Sequence, residues 1–255
     1  MQQNLKSTVL VLGDQINRDI ASLSGRSPAD TRILFIELSA KFGKKQWHKQ
    51  KVHLLLSAMM HFAKELRDEG FEVDYRKAKT LRDGVDAHTR EFEVSHIVAM
   101  EPMNWNGRNL LEKLNIELIR NNQFLCHYED FANWSSEKGK FKMEDFYRWQ
   151  RKRLNILMDG SDPCGGKWNF DHENRERPPR DGREWPSITL FEHDDIDDQI
   201  IKNLDSFWGA YPKGVWPVTR KQALIRLNEF VTGALTAFGP YEDAMLGKEW
   251  KLAHS

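Results

Sequence analysis

Val9-Leu10-Val11-Leu12-Gly13-Asp14-Gln15 is an unbroken apolar run that stops at a glycine and two polar residues. A strand with one face in water alternates apolar and polar side chains. An unbroken run suits a strand covered on both faces, as in a parallel sheet. The form recurs. Arg32-Ile33-Leu34-Phe35-Ile36-Glu37 is a second run, Phe71-Glu72-Val73-Asp74-Tyr75 a third with period two, and His96-Ile97-Val98-Ala99-Met100 a fourth. Phe124-Leu125-Cys126-His127-Tyr128 is a weaker fifth.

Helical patterns separate these runs. Between Lys45 and Glu69, Val52, Leu55, Leu56, Met59, Phe62, Ala63 and Leu66 recur at steps of three or four, and Gly70 stands where the helix should stop. Leu81 to Phe92 predicts a shorter helix, and Asn109 to Arg120 another, carrying Leu110, Leu111, Leu114, Leu118 and Ile119. Strand alternating with helix predicts an α/β fold with a Rossmann-like parallel sheet of about five strands and flanking helices, over residues 6–130. Residues 131–210 read as a long connector with one helix, Met143 to Met158, and an acidic, partly helical stretch around Asp194-Asp195-Ile196-Asp197-Asp198. Residues 211–255 read as the start of a partial helical domain, with a helix from Thr219, its N-cap, to Phe238, ended by Gly239-Pro240.

Composition narrows the class. Apolar residues make up 40% of the 255, enough for a sizeable core. Thirty-eight basic residues balance 38 acidic ones, which argues against bulk attraction to nucleic acid. The two cysteines, Cys126 and Cys164, form no disulfide framework. No apolar run approaches the roughly 18 residues that span a bilayer, so a soluble cytoplasmic protein is expected.

In open α/β sheets, ligands sit at the carboxyl ends of strands. Gly13, Asp14 and Gln15 follow one such end and Glu37 closes another. Gly13 lets backbone approach a ligand, and Asp14 or Glu37 can accept hydrogen bonds from ribityl or ribose hydroxyls; the alternative is a tight turn with solvated carboxylates. No Gly-x-Gly-x-x-Gly or phosphate loop occurs. Lys45, Trp47, His48, Lys49, Lys51 and His53 crowd one helix start, either as a wall for an aromatic ligand or phosphate, or as a solvated helix end. His61 reads as a structural histidine rather than a metal ligand. Tyr147-Arg148-Trp149-Gln150-Arg151-Lys152-Arg153 interleaves aromatic and basic residues, either to hold a phosphate backbone or as an exposed helix face. Trp168-Asn169-Phe170-Asp171 with Asn174-Arg175 reads as a long connector packed across another surface, its polar groups tying down the irregular backbone, with direct catalysis the alternative.

These runs carry a resemblance. Val11-Leu12-Gly13-Asp14-Gln15, His48 through His61-Phe62-Ala63, Met143 to Arg148, Gly165-Gly166-Lys167-Trp168-Asn169-Phe170-Asp171 with Glu173-Asn174-Arg175, and Phe238 to Met245 followed by Leu252-Ala253-His254-Ser255 resemble the photolyase–cryptochrome superfamily. The narrower likeness is to its bacterial iron–sulfur branch, the deoxyribodipyrimidine photolyase-related proteins. The resemblance implies an antenna domain, a connector and a helical FAD domain, acting in light-dependent DNA repair. There, photoexcited reduced FAD gives an electron to a pyrimidine photoproduct, the (6-4) type, in damaged DNA.

The implied antenna chromophore is 6,7-dimethyl-8-ribityllumazine, held by Gly13, Asp14, Gln15, Glu37, Lys51 and Trp105. His254 and Ser255 fall at the edge of the FAD site. The family chain continues further, so an N-terminal portion without repair activity of its own is expected, with a separately encoded flavin domain as one partner. A four-iron four-sulfur cluster belongs to the full-length family and takes four cysteines. Met60 stands where the family usually shows Arg, and the loop from Glu101 to Trp105 also departs from its pattern. The other reading is a non-catalytic chromophore-binding or protein-interaction module of the same fold.

Overall fold

The computed structural model describes residues 6–43, 45–94, 96–136, 138–178, 180–181 and 187–244. In chain order the main elements are β1 (Ser7–Val11), β2 (Thr31–Leu38), α1 (Ser39–Gly43), α2 (Lys49–Asp68), β3 (Glu72–Ala78), α3 (Leu81–Glu91), β4 (Ile97–Met100), α4 (Trp105–Lys113) and β5 (Glu117–Ile119). Then come α5 (Tyr128–Ser136), α6 (Met143–Leu154), α7 (Asp195–Ile201), α8 (Arg220–Glu229), a π-helical turn (Phe230–Ala234) and α9 (Leu235–Phe238). Among the described residues no helix is long and apolar enough to cross a membrane.

The chain groups into two compact units, one of residues 1–123 with 189–226, the other of 124–188 with 227–255. The sequence boundaries at 130 and 210 imply consecutive pieces. Instead residues 189–226 fold with the sheet, because Ile200 and Leu204 bury themselves in the same apolar cluster as Val52 and Leu56 of α2.

In the first unit the five strands are parallel, in the order β3-β2-β1-β4-β5. β1 is central, with Val9 opposite Ile33 on one side and Val98 on the other. Alternate residues of one strand feed two cores. Val9, Val11, Ile33 and Phe35 pack with Met59, Phe62 and Leu66 of α2. Leu10, Leu34 and Ile36 pack with Leu81 and Val85 of α3 and Leu111 of α4. The unbroken apolar reading of β1 and β2 is thus explained by burial on both faces.

Three sequence expectations are corrected. The fifth strand is Glu117–Ile119, and the 124–128 run forms no strand of the sheet; Phe124 and Leu125 are exposed. The helix expected to reach Arg120 ends at Lys113, since Asn115 takes a left-handed backbone (φ 53°) that a helix cannot continue through. Leu118 and Ile119 had fallen in step with the helical period by coincidence. The expected helix from Thr219 is interrupted by the π-helical turn, while the Thr219 hydroxyl accepts from the Gln222 amide at 3.2 Å, as an N-cap does.

A buried polar chain ties β1, α3 and β3 together. Thr8 Oγ1 lies 2.9 Å from His88 Nε2, and His88 Nδ1 lies 2.6 Å from Asp74 Oδ2, to which Arg76 Nε also donates at 2.7 Å. Burial pushes the Asp74 carboxyl up, but His88 and Arg76 more than offset this and hold it below its ordinary value. A carboxyl depressed in the folded state contributes stability above its unfolded pKa, and that contribution is lost as pH falls through the folded value. Asp74→Asn should therefore cost about 1–3 kcal/mol at pH 7. It should also flatten the loss of stability below about pH 4 relative to wild type, as read from urea melts across pH.

In the second unit, Phe131, Trp134, Phe141, Phe146 and Trp149 form an aromatic cluster between α5 and α6. The Trp168 loop is held from within this unit. Arg148, Arg151 and Lys152 of α6 each stand 5.3 Å from the Trp168 ring, and Arg151, almost fully buried, donates to the Trp168 carbonyl at 3.3 Å. Asn174 donates to Glu242 at 2.8 Å, and the Glu176 amide to the Pro240 carbonyl at 3.0 Å. With Arg153 paired to Asp130 at 3.6 Å, all four cations in the basic run of α6 have an intramolecular partner.

Candidate functional site

The strand order reverses between β1 and β4, and the loops leaving these two strands diverge there. That crevice is where an open α/β sheet binds ligands. A cleft of about 620 Å³ opens at this place. Its floor is Leu12, Gly13 and Asp14 after β1 and Ile36, Glu37 and Leu38 at the end of β2. One wall is Trp47, just before α2, with Lys51, Leu55 and Met59 along it, and the other is Pro102, Asn104, Gly107 and Leu110 around the start of α4. The size and the apolar lining with a few polar groups match an aromatic small molecule.

Each wall has a local cause. His48 caps α2 by accepting from the Gln50 amide at 3.2 Å, which sets the first turn and with it Lys51. Trp47, just outside the cap, packs edge-on against Phe42 with ring centres 5.4 Å apart, and Lys51 Nζ stands 5.1 Å over the indole. Asn104 caps α4, accepting from the Gly107 amide at 2.7 Å. Gly13 keeps the floor open: a β-carbon there would stand 3.1 Å from Leu55 Cδ1 and 3.3 Å from Met59 Sδ.

Glu37 is the polar feature of the floor. Its Oε1 pairs with exposed Lys77 at 3.2 Å, while Oε2 is buried with no hydrogen-bond partner among the described residues. The neighbouring Tyr75 hydroxyl is also buried and unaligned with a partner. Burial first, and then the neighbouring Glu37 carboxylate, push the Tyr75 ionisation well above the ordinary tyrosine value, so Tyr75 stays neutral.

Of the residues picked from sequence, Gly13, Asp14, Glu37 and Lys51 come together around the cleft. Gln15 does not face it. It is buried, and its Nε2 donates to the carbonyls of Met100 at 3.0 Å and Glu101 at 3.2 Å, tying the β1 and β4 loops together at the crevice. Trp105 is outside the lining and 74% exposed, because Asn104 is the cap and the next residue starts a helix turn on another bearing. His254 and Ser255 lie outside the described residues. Sequence reasoning missed Phe42, Leu55, Met59 and Asn104 as lining. Leu55 and Met59 read as core stripe, and the Asn104 cap, preceding an apolar helix, was the available signal for that wall.

The cleft-bearing unit also has known counterparts. A family profile described as deoxyribodipyrimidine photo-lyase-related protein matches residues 9–211. A protein of Agrobacterium fabrum named "(6-4) photolyase" is 32% identical over 267 aligned positions, covering 98% of this chain and 52% of its own length. The chain thus spans about half of that relative. A mimivirus protein, "Uncharacterized protein R852", is 28% identical over 144 positions, 51% of this chain and 71% of its own. With most of the chain under the family profile and nearly all of it aligned to a relative above 30% identity, this protein belongs to the deoxyribodipyrimidine photo-lyase-related family.

Proposed function

We propose that the first unit is the light-collecting part of a photolyase-related protein and that the switch-point cleft holds a ribityl-bearing aromatic chromophore of the 6,7-dimethyl-8-ribityllumazine kind. The observation that carries this reading is the cleft itself, about 620 Å³ with apolar walls and with the Glu37 carboxylate, next to the Tyr75 hydroxyl, at its floor. A ribityl hydroxyl can donate to that carboxylate, and the flat ring fits between the wall of Trp47, Leu55 and Met59 and the facing wall of Pro102 and Leu110. Lys51 and Asp14 sit at the exposed rim, where the polar end of the ring or chain meets water.

On the footing of the Agrobacterium relative's name, the protein's wider role in this proposal is light-dependent repair of (6-4) photoproducts in damaged DNA. In that role FAD supplies the electron. An iron–sulfur cluster takes four cysteine ligands; the two cysteines of this sequence do not make that set.

The test compares two ligands on two proteins by fluorescence titration. The ribityl lumazine should bind wild type at least tenfold tighter than the same ring without the ribityl chain, a difference of about 1.4 kcal/mol. Glu37→Gln should shrink that gap, because the charged acceptor is gone while the ring pocket remains. Equal binding of the two ligands by wild type would remove Glu37 and the ribityl chain from the account.

A further inference from the structure

On the far side of α2 from the sheet, His53, Ser57 and His61 are spaced four residues apart and so share one face. Asp194 and Asp197, at the start of α7, meet that face. His53 and Asp197 are each 2% exposed. His53 Nε2 stands 2.9 Å from Asp197 Oδ1 but out of hydrogen-bond alignment. His61 Nε2 lies 3.6 Å from Asp194 Oδ1 and 3.9 Å from Asp197 Oδ2. Asp197 Oδ1, Ser57 Oγ and both Nε2 atoms are buried without a hydrogen-bond partner among the described residues.

Of these atoms His61 Nε2 is the one that faces both carboxylates, and a buried ring nitrogen is costly to leave unfilled. Separations of 3.6 and 3.9 Å are too long for hydrogen bonds. They are close to what a shared cation gives: bonds of roughly 2.0–2.2 Å at tetrahedral angles put two ligand atoms about 3.3–3.6 Å apart. His61 Nε2, Asp194 and Asp197 each offer one ligand atom, and these atoms lie within 4.8 Å of one another. The capping box at the start of α7 fixes both carboxylates: the Asp194 side chain accepts from the amides of Ile196 and Asp197, and the Asp197 side chain from the amide of Asp194. His53 then stands against the second oxygen of Asp197, as an outer-shell partner of a ligating carboxylate does.

The geometry points to a divalent transition-cation site, zinc by its donor set, formed by His61, Asp194 and Asp197 and clipping α7 onto α2. One imidazole and two carboxylates suit Zn²⁺, Co²⁺ or Mn²⁺ better than Mg²⁺. A second cleft of about 430 Å³ reaches His61, with Glu65, Glu69, Lys64 and Arg220 also in its lining. The site is separate from the chromophore cleft and stands or falls independently of it.

The experiment uses the full chain, stripped with chelator and titrated with Co²⁺, followed by its visible d–d absorption. One equivalent should saturate the band, Zn²⁺ should displace it, and Mg²⁺ should not. Zn²⁺ at about a hundredfold excess over Kd should raise Tm by roughly 5 °C or more. His61→Ala should weaken Co²⁺ binding at least a hundredfold. Asp194→Asn keeps the helix cap, so it should stay folded, and should weaken binding about tenfold or more. His172→Ala, in the other unit, should bind as wild type. Absence of a saturable band in wild type, full binding by folded Asp194→Asn, or loss of binding in His172→Ala would overturn the site.

Discussion

Leu55→Trp is expected to weaken binding of the ribityl lumazine by a hundredfold or more while leaving the protein folded. Leu55 lines the cleft, and its Cδ1 already stands 3.1 Å from where a Gly13 β-carbon would be. The side chain is only partly buried, so an indole has room to grow, and the room is the cleft itself. The larger ring takes the volume the chromophore needs. A hundredfold loss corresponds to about 2.7 kcal/mol, more than one lost hydrogen bond at Glu37 contributes. The readouts are the titration for binding and far-UV circular dichroism with a thermal melt for the fold. Binding near the wild-type value by folded Leu55→Trp would place the chromophore elsewhere.

Phe35→Ala is the largest stability effect expected. Phe35 is fully buried at the centre of β2. Its ring meets Phe62 edge-on at 6.0 Å and stacks on Tyr75 at 5.9 Å, so it joins β2, β3 and α2 at one point. Removing a buried phenylalanine costs about 3–5 kcal/mol, from lost transfer energy and the cavity left behind. For a unit of this size that lowers Tm by roughly 10 °C or more. A melt within a few degrees of wild type would mean that the α2 face of the sheet is not the core described.

Phe35 also shows what made the fold legible. The runs at Val9–Leu12 and Ile33–Ile36 lack polar alternation because alternate residues enter two different cores. That pattern is local, and it fixes a parallel sheet and places its carboxyl ends. Gly13, Asp14 and Glu37 followed from position alone.

The misses have long-range or competing causes. Glu117–Ile119 is a three-residue strand whose apolar side chains fit a helical period equally well. Its identity was decided by the left-handed turn at Asn115 and by pairing with Val98–Met100. The burial of Gln15 depends on carbonyls of β4, and nothing near Gln15 in the chain foretells them. Residues 189–226 rejoin α2 after an intervening stretch of the chain, residues 124–188. Short-range periodicity carries no information about such partners.

The most direct measurement is gel filtration of the chain with 6,7-dimethyl-8-ribityllumazine at about 100 μM, a concentration that saturates any micromolar site. Lumazine absorbance should co-elute at one equivalent per chain, with quenching of fluorescence from Trp47 in the cleft wall. A protein peak free of lumazine, or co-elution that persists undiminished in Leu55→Trp, would contradict the account.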